Sequence, residues 1–205
     1  MVSVDSGTRN RLFRQRRRVA ELGSIELLVN NAGVATAGDF KGAALDDELG
    51  AISLNVVAVV ALTHLVLREM VQRGSGAVIN VASVVAFQPL PHFAVYAATK
   101  AFVLSFTEAI AEEVKGTGVR ILALCPGAAR TEIEIFAHNE GFLGKLPSLA
   151  PEEIVTAALR GLEDGSVVKV VGWLNWMATF MVRFMPRSAV RWMMGVSFKP
   201  PSGAG

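Results

Sequence analysis

The sequence is poor in cysteine: one, Cys125, in 205 residues. That excludes a disulfide-stapled secreted module and suits a reducing, cytoplasmic setting. Charge is also modest at 19%, against 52% apolar residues, so the chain is neither disordered nor collagen-like and holds enough material for the core of one domain. No basic stretch leads into an apolar run with a small-residue cleavage site, and a secretory signal is not expected. Residues 49–67 lack formal charge and are long enough to cross a bilayer. Ser53, Asn55, Thr63 and His64 interrupt them, and Asp46, Asp47 and Glu48 make a natural first turn, so the stretch is read as a buried helix of a globular domain. Residues 170–182 are uncharged but too short to span. Internal repeats and low-complexity tracts are missing. The three histidines, His64, His92 and His138, lack metal-ligand spacing, and no metal site is expected.

Acidic residues are scarce at both ends. Residues 1–20 carry +5 and residues 165–205 carry +5, leaving −8 for the middle of a chain whose net charge is only +2. The N-terminal cluster Arg14, Arg16, Arg17 and Arg18 has no interleaved aromatics and no nucleic-acid motif, so specific nucleic-acid binding is not expected. From Trp173 onward come all three tryptophans and five of the seven methionines, mixed with Arg183, Arg187 and Arg191. This tail reads as an amphipathic segment that covers a cleft, enters a subunit interface, lies on an anionic membrane or docks as a core helix.

What is present is an alternation of short β-branched runs with longer helical ones. Residues 25–29 (IELLV) read as a strand buried on both faces. Residues 46–72 read as a helix ended by Gly74, and 77–82 as a strand. A second long helix is expected over about 95–115, a strand over 119–124, a helix from Pro151 to about 163 and a last strand over 167–171. Such alternation predicts right-handed βαβ units and an α/β fold with a doubly wound parallel sheet.

Four features stand together on this frame: Asn30-Asn31-Ala32-Gly33 after a strand, Asn55 in the first long helix, Ser83 after the second strand, and Tyr96 with Lys100 (YAATK) opening the second helix. Residues i and i+4 share a helix face, so the Lys100 ammonium can approach the Tyr96 phenol. A nearby cation favours phenolate and makes tyrosine useful as an acid or base near neutral pH. Open parallel sheets bind ligands at the carboxyl ends of their strands, and Asn30, Ser83 and Pro126 all follow one. Cys125 is read as a small buried hydrophobe, and the loop residues Val84, Val85, Phe87, Leu90 and Phe93 as either an apolar wall for a lipophilic substrate or core.

Over about residues 19–172 the sequence resembles the short-chain dehydrogenase/reductase family, through NNAG at 30–33, Asn55, Ser83, YAATK at 96–100 and Pro126-Gly127 with Thr131. The resemblance implies hydride transfer between NAD(H) or NADP(H) and an alcohol or carbonyl. It implies Tyr96 as the general acid or base, Lys100 as the group that assists it and holds the nicotinamide ribose, Ser83 as the substrate anchor and Asn55 as support for a water relay. Asn30, Ala32 and Gly33 would line the adenine and ribose side; Pro126, Gly127 and Thr131 would cradle the nicotinamide. Family members also commonly pair through the two long helices, here 46–72 and 95–115.

One departure stands out. The family opens with a strand and a Gly-rich phosphate-binding turn, and here only Gly7 and Gly23 precede Asn30. Roughly three strands of the complete sheet have no counterpart. The reading is therefore of a truncated dehydrogenase: residues 1–24 a basic N-terminal segment, 25–172 a core lacking its first strands, 173–205 an apolar basic tail. Two functions are carried forward, an oxidoreductase and a catalytically inactive remnant that docks onto an intact relative. The cofactor preference is not readable.

Overall fold

The computed structural model describes residues 23–127 and 149–198. The arginine cluster at 14–18, Thr131 and His138 lie outside the described residues. Four strands, β1 (Leu27–Asn30), β2 (Gly76–Val81), β3 (Val119–Cys125) and β4 (Val168–Val170), form one parallel sheet in the order 1-2-3-4. In-register pairs include Asn30 with Asn80 and Ala123 with Val168.

The helices fall where the apolar periodicity puts them. Helix α1 runs from Leu45 to Arg73 and is closed by Gly74 at φ 72°. Asp46, Asp47 and Glu48 occupy its first turn, where the helix dipole favours negative charge. Helix α2 is Ala94–Glu113, and α3, opened by Pro151, is Pro151–Glu163. The Glu153 carboxylate accepts the Ala150 N–H at 3.2 Å and so caps the α3 N-terminus. Two tail helices follow, α4 (Trp173–Val182) and α5 (Arg187–Ser197).

Alternation along the strands decides which helix goes to which face. Val66 and Met70 of α1 and Ile110 of α2 pack on Val78 and Ile121, whereas Ala158 and Leu162 of α3 pack on Ala77, Ile79, Leu122 and Leu124. At β2 and β3 the sheet is thus covered on both sides, as in one flank of a Rossmann-like fold.

Two expectations need correction. Strand β1 is covered on one face only: Leu28 packs under α1, but Leu27 and Val29 point to the α3 side and are 43% and 48% exposed. Its outer edge pairs with nothing among the described residues, because β2 is its one neighbour in the sheet. Helix α1 is likewise not a buried helix. Only 28% of its most apolar window is buried, since the face away from the sheet carries Leu45, Leu49, Ile52 and Val57, all exposed. By length and composition α1 and α2 both suffice to cross a membrane, but each packs on the sheet through its inner face.

The tail resolves into two unlike helices. Val190 and Met194 of α5, with Phe198 just beyond it, enter the core against Val84, Val85, Leu90 and Phe93. Phe198 meets Phe93 edge-on at 6.1 Å between ring centroids. Helix α4 instead turns its aromatic residues outward.

Candidate active site

A parallel sheet brings the carboxyl ends of all its strands to one side, and the candidate residues gather there. Ser83 follows β2 and opens a short 3-10 turn, Val84–Phe87, its hydroxyl accepting the Val85 N–H at 3.3 Å. The Val84 N–H donates to the Pro126 carbonyl at 3.0 Å, which ties the Ser83 turn to the end of β3.

Tyr96 and Lys100 lie on the first two turns of α2, both buried. The Lys100 ammonium is 5.8 Å from the Tyr96 ring centroid and donates to the Val81 carbonyl at 2.9 Å. The helical spacing thus puts the ammonium on the same side of the helix as the Tyr96 ring. Gly33 completes the group: a Cβ added there would lie 3.4 Å from Lys100 Nζ and 3.2 Å from Asn55 Oδ1. The backbone approaches both side chains closely because position 33 has none of its own.

Asn55 sits in a π-helical turn, Ser53–Ala58, within α1. Such turns redirect a side chain by adding a residue to the helix ladder. The Asn55 amide donates to the Val34 carbonyl at 2.8 Å and to Thr99 Oγ1 at 3.0 Å, and its oxygen accepts the Val34 N–H at 3.0 Å. One buried side chain therefore clamps the chain after β1 to α2 at Thr99, next to Lys100 and three residues on from Tyr96.

Asn30 takes a different place from its neighbours. Its amide is buried and donates to Asn80 Oδ1 at 2.8 Å and Thr63 Oγ1 at 3.1 Å, while Asn31, Ala32 and Gly33 are exposed at the strand end. Asn80 in turn donates to Thr107 Oγ1 at 3.0 Å. This polar seam from β1 through β2 to α2 was missed in the sequence. Its signal was Asn80 itself, a polar residue inside an otherwise apolar strand whose neighbours two positions away face the core.

The loop between Ser83 and Tyr96 is also settled. Val84, Val85, Leu90 and Phe93 are buried against α5, so they are core, and only Phe87 is partly buried. Cys125 is fully buried at the end of β3, and burial pushes its thiol up to about 12, with Glu108 adding to this and the Ser83 backbone and Lys100 opposing it. A thiol this protonated is a poor nucleophile. An aromatic disulfide reagent at pH 8 should label no thiol in the folded protein and one in denaturant; rapid labelling of the folded protein would contradict the assignment. Because an unfolded thiol ionises near about 8.5, this group's contribution to stability is full below that pH and declines as pH rises toward 12.

Pro126 and Gly127 are buried beside Asn175 of α4, a residue not expected at the site. Asn175 donates to the Val171 carbonyl at 2.8 Å, and a Cβ at Gly127 would overlap its amide nitrogen. Gly127→Ala is expected to cost about 1–3 kcal/mol through overpacking. Adding Asn175→Ala should recover part of that loss in urea unfolding, and strictly additive losses would refute the contact. Among the described residues, no group of three or more His, Cys, Asp or Glu can hold a metal ion.

The described residues fit one end of a dinucleotide. The Lys100 ammonium stands beside the exposed, side-chain-free backbone of Gly33, which Asn55 holds in place through Val34, and together they leave a cradle suited to ribose hydroxyls. Nothing comparable for a pyrophosphate occurs among the described residues, where no Gly-rich turn links a strand to a helix N-terminus.

The sequence model of the short chain dehydrogenase family matches residues 2–140. A ketoacyl reductase of Nostoc sp. PCC 7120, HetN, is 38% identical over 151 residues, which are 73% of this chain and 52% of that protein. An oxidoreductase of Escherichia coli O157:H7, UcpA, is 37% identical over 143 residues, 69% of this chain and 54% of its own. The chain spans about half the length of these curated relatives. Among solved structures, a dehydrogenase from Sphingobium yanoikuyae in complex with NADPH is similar, with 34% identity, a TM-score of 0.69 and coverage of 84% of this chain and 68% of that one. Another from Burkholderia cenocepacia, in complex with NADP, has 25% identity, a TM-score of 0.74 and coverage of 89% and 74%.

Proposed function

Since this chain belongs to the short-chain dehydrogenase family, we propose that it serves NAD(P)-dependent oxidoreduction of an alcohol or carbonyl. The observation that carries this reading is the buried Tyr96–Lys100 pair beside Gly33 and Asn55 at the carboxyl end of the sheet. The nicotinamide dinucleotide, when bound, supplies or accepts the hydride. Tyr96 donates a proton to the carbonyl oxygen during reduction and removes it from the alcohol during oxidation. Lys100 favours the phenolate by its charge and holds the ribose hydroxyls. Ser83 donates a hydrogen bond to the substrate oxygen and fixes its orientation. Asn55 supports the water path that returns the proton to Lys100 and Tyr96. Pro126 and Gly127 would hold the nicotinamide end of the dinucleotide, a role the family motif shares with Thr131.

We propose a lipophilic substrate. Its support is Phe87, which stands partly buried in the turn that follows Ser83, whereas Val84, Val85, Leu90 and Phe93 are core. A homo-oligomer through α1 and α2 is proposed from the exposed Leu49, Ile52, Val57 and Phe102 on those helices.

Fluorescence titration of the purified chain with NADPH and with NADH, followed by an assay with an apolar ketone, tests the proposal. Saturable binding with turnover supports it. A folded sample that binds neither cofactor would leave the inactive-remnant reading standing instead.

A further inference from the structure

Helix α4 is inverted with respect to an ordinary surface helix. It buries Asn175 and Thr179 and exposes Trp173, Trp176, Met177, Phe180 and Met181. The inversion is stable because each buried polar group bonds within its own stretch: Asn175 to the Val171 carbonyl at 2.8 Å and Thr179 to the Trp176 carbonyl at 2.9 Å. With Leu174, also exposed, the apolar residues fill an arc of about 160° at 3.6 residues per turn, with no charge inside it. Trp176 stacks on Phe180 at 5.2 Å and Phe180 meets Phe184 edge-on at 5.0 Å, so the aromatic surface is continuous past the end of the helix.

Cations stand at the end of this surface and on the helix that follows it. Arg183 lies over the Phe87 ring at 5.9 Å, beside the Ser83 turn. Arg187 and Arg191 are exposed one turn apart on α5, next to Trp192, which is 73% exposed. No acid follows Asp164 in the sequence. An apolar face with cations at its end complements two features of one partner, the acyl boundary and the headgroups of an anionic bilayer. It suits a second copy of this chain poorly, because a two-fold contact through the same face would leave the arginines of both copies with no carboxylate to pair them.

We propose that the tail helices α4 and α5 dock this protein on anionic lipid surfaces, with Trp173, Trp176 and Phe180 entering the interface and Arg187 and Arg191 meeting the headgroups. Docking there places the Ser83 turn close to the lipid, where an apolar substrate would be concentrated. The docking itself does not depend on catalysis.

Flotation of the full chain with phosphatidylcholine vesicles, with and without phosphatidylglycerol, tests this directly. Expected are co-flotation with the anionic vesicles, a blue shift of tryptophan emission on binding, and weakening at high salt. The double variant Arg187→Gln, Arg191→Gln should bind anionic vesicles at least about 10-fold more weakly. Trp176→Ser with Phe180→Ser should lose binding while keeping the far-UV spectrum and cofactor titration of the parent. A folded chain that stays with the soluble fraction in anionic vesicles overturns the proposal. So does a concentration-dependent dimer, dissolved by the serine variant, in a chain that does not float.

Discussion

Turnover of a carbonyl substrate should fall by about 10²–10⁴-fold in Tyr96→Phe, the range lost when a positioned general acid is removed. The change deletes one oxygen and leaves the ring. That ring is 3% exposed and packs with Val85, Leu90 and Met194, so the fold should be undisturbed. Cofactor affinity should change little, because Lys100 keeps its bond to the Val81 carbonyl and Gly33 keeps its place. The loss should therefore appear in kcat with KM for cofactor near that of the parent. Tyr96 is the one tyrosine in the sequence, so isotope-labelled tyrosine reports this residue alone by NMR and can show that the parent's phenol lies in a single, folded environment. Turnover within a few-fold of the parent would sink the assignment of Tyr96 as the proton donor, whatever the cofactor does.

Asn55→Leu should destabilise the fold by about 2–5 kcal/mol, and activity should fall with it. Leucine keeps asparagine's branched outline but is larger, so no cavity opens and the expected loss comes from the broken hydrogen bonds together with some overpacking. The buried side chain serves three partners, the Val34 N–H, the Val34 carbonyl and Thr99 Oγ1, and all three lose it together. An unpaired buried polar group bears its full desolvation cost, which makes this change larger than the sum of ordinary hydrogen bonds suggests. Thr99→Val is the graded control. It removes one Asn55 contact and a bond to the Tyr96 carbonyl, and should cost about 1 kcal/mol. Urea unfolding of the two variants gives the comparison. Equal, small losses would mean that water replaces the Asn55 contacts and that the clamp after β1 is not structural.

The remaining question is where each feature of this protein is encoded. Local patterns carried the elements: the acidic first turn and Gly74 bounded α1, Pro151 opened α3, and the β-branched runs formed β2 and β3. Spacing of four within a helix carried the Tyr96–Lys100 pair, because helical geometry alone puts those side chains on one face. Motif order along the chain carried the family and the doubly wound α/β class.

Long-range contacts were not legible in the same way. The Asn30–Asn80–Thr107 seam joins residues 50 and 27 positions apart, and no local pattern records which polar side chains meet across a sheet. Of the two readings open for the residues between Ser83 and Tyr96, substrate wall or core, core holds for most of them because α5, about a hundred residues later, arrives to cover them. Asn175 met Gly127 for the same reason, through the packing of α4 on the end of β3. Composition placed aromatic and basic residues in the tail but left open which of them face outward. By itself the sequence determined the elements, their order and the closeness of Tyr96 to Lys100, all set by steric and hydrogen-bonding rules acting over a few residues. Only the tertiary structure decided which apolar faces find a partner, leaving β1, α1 and α4 with exposed ones, because burial depends on what packs against a surface and not on the surface alone.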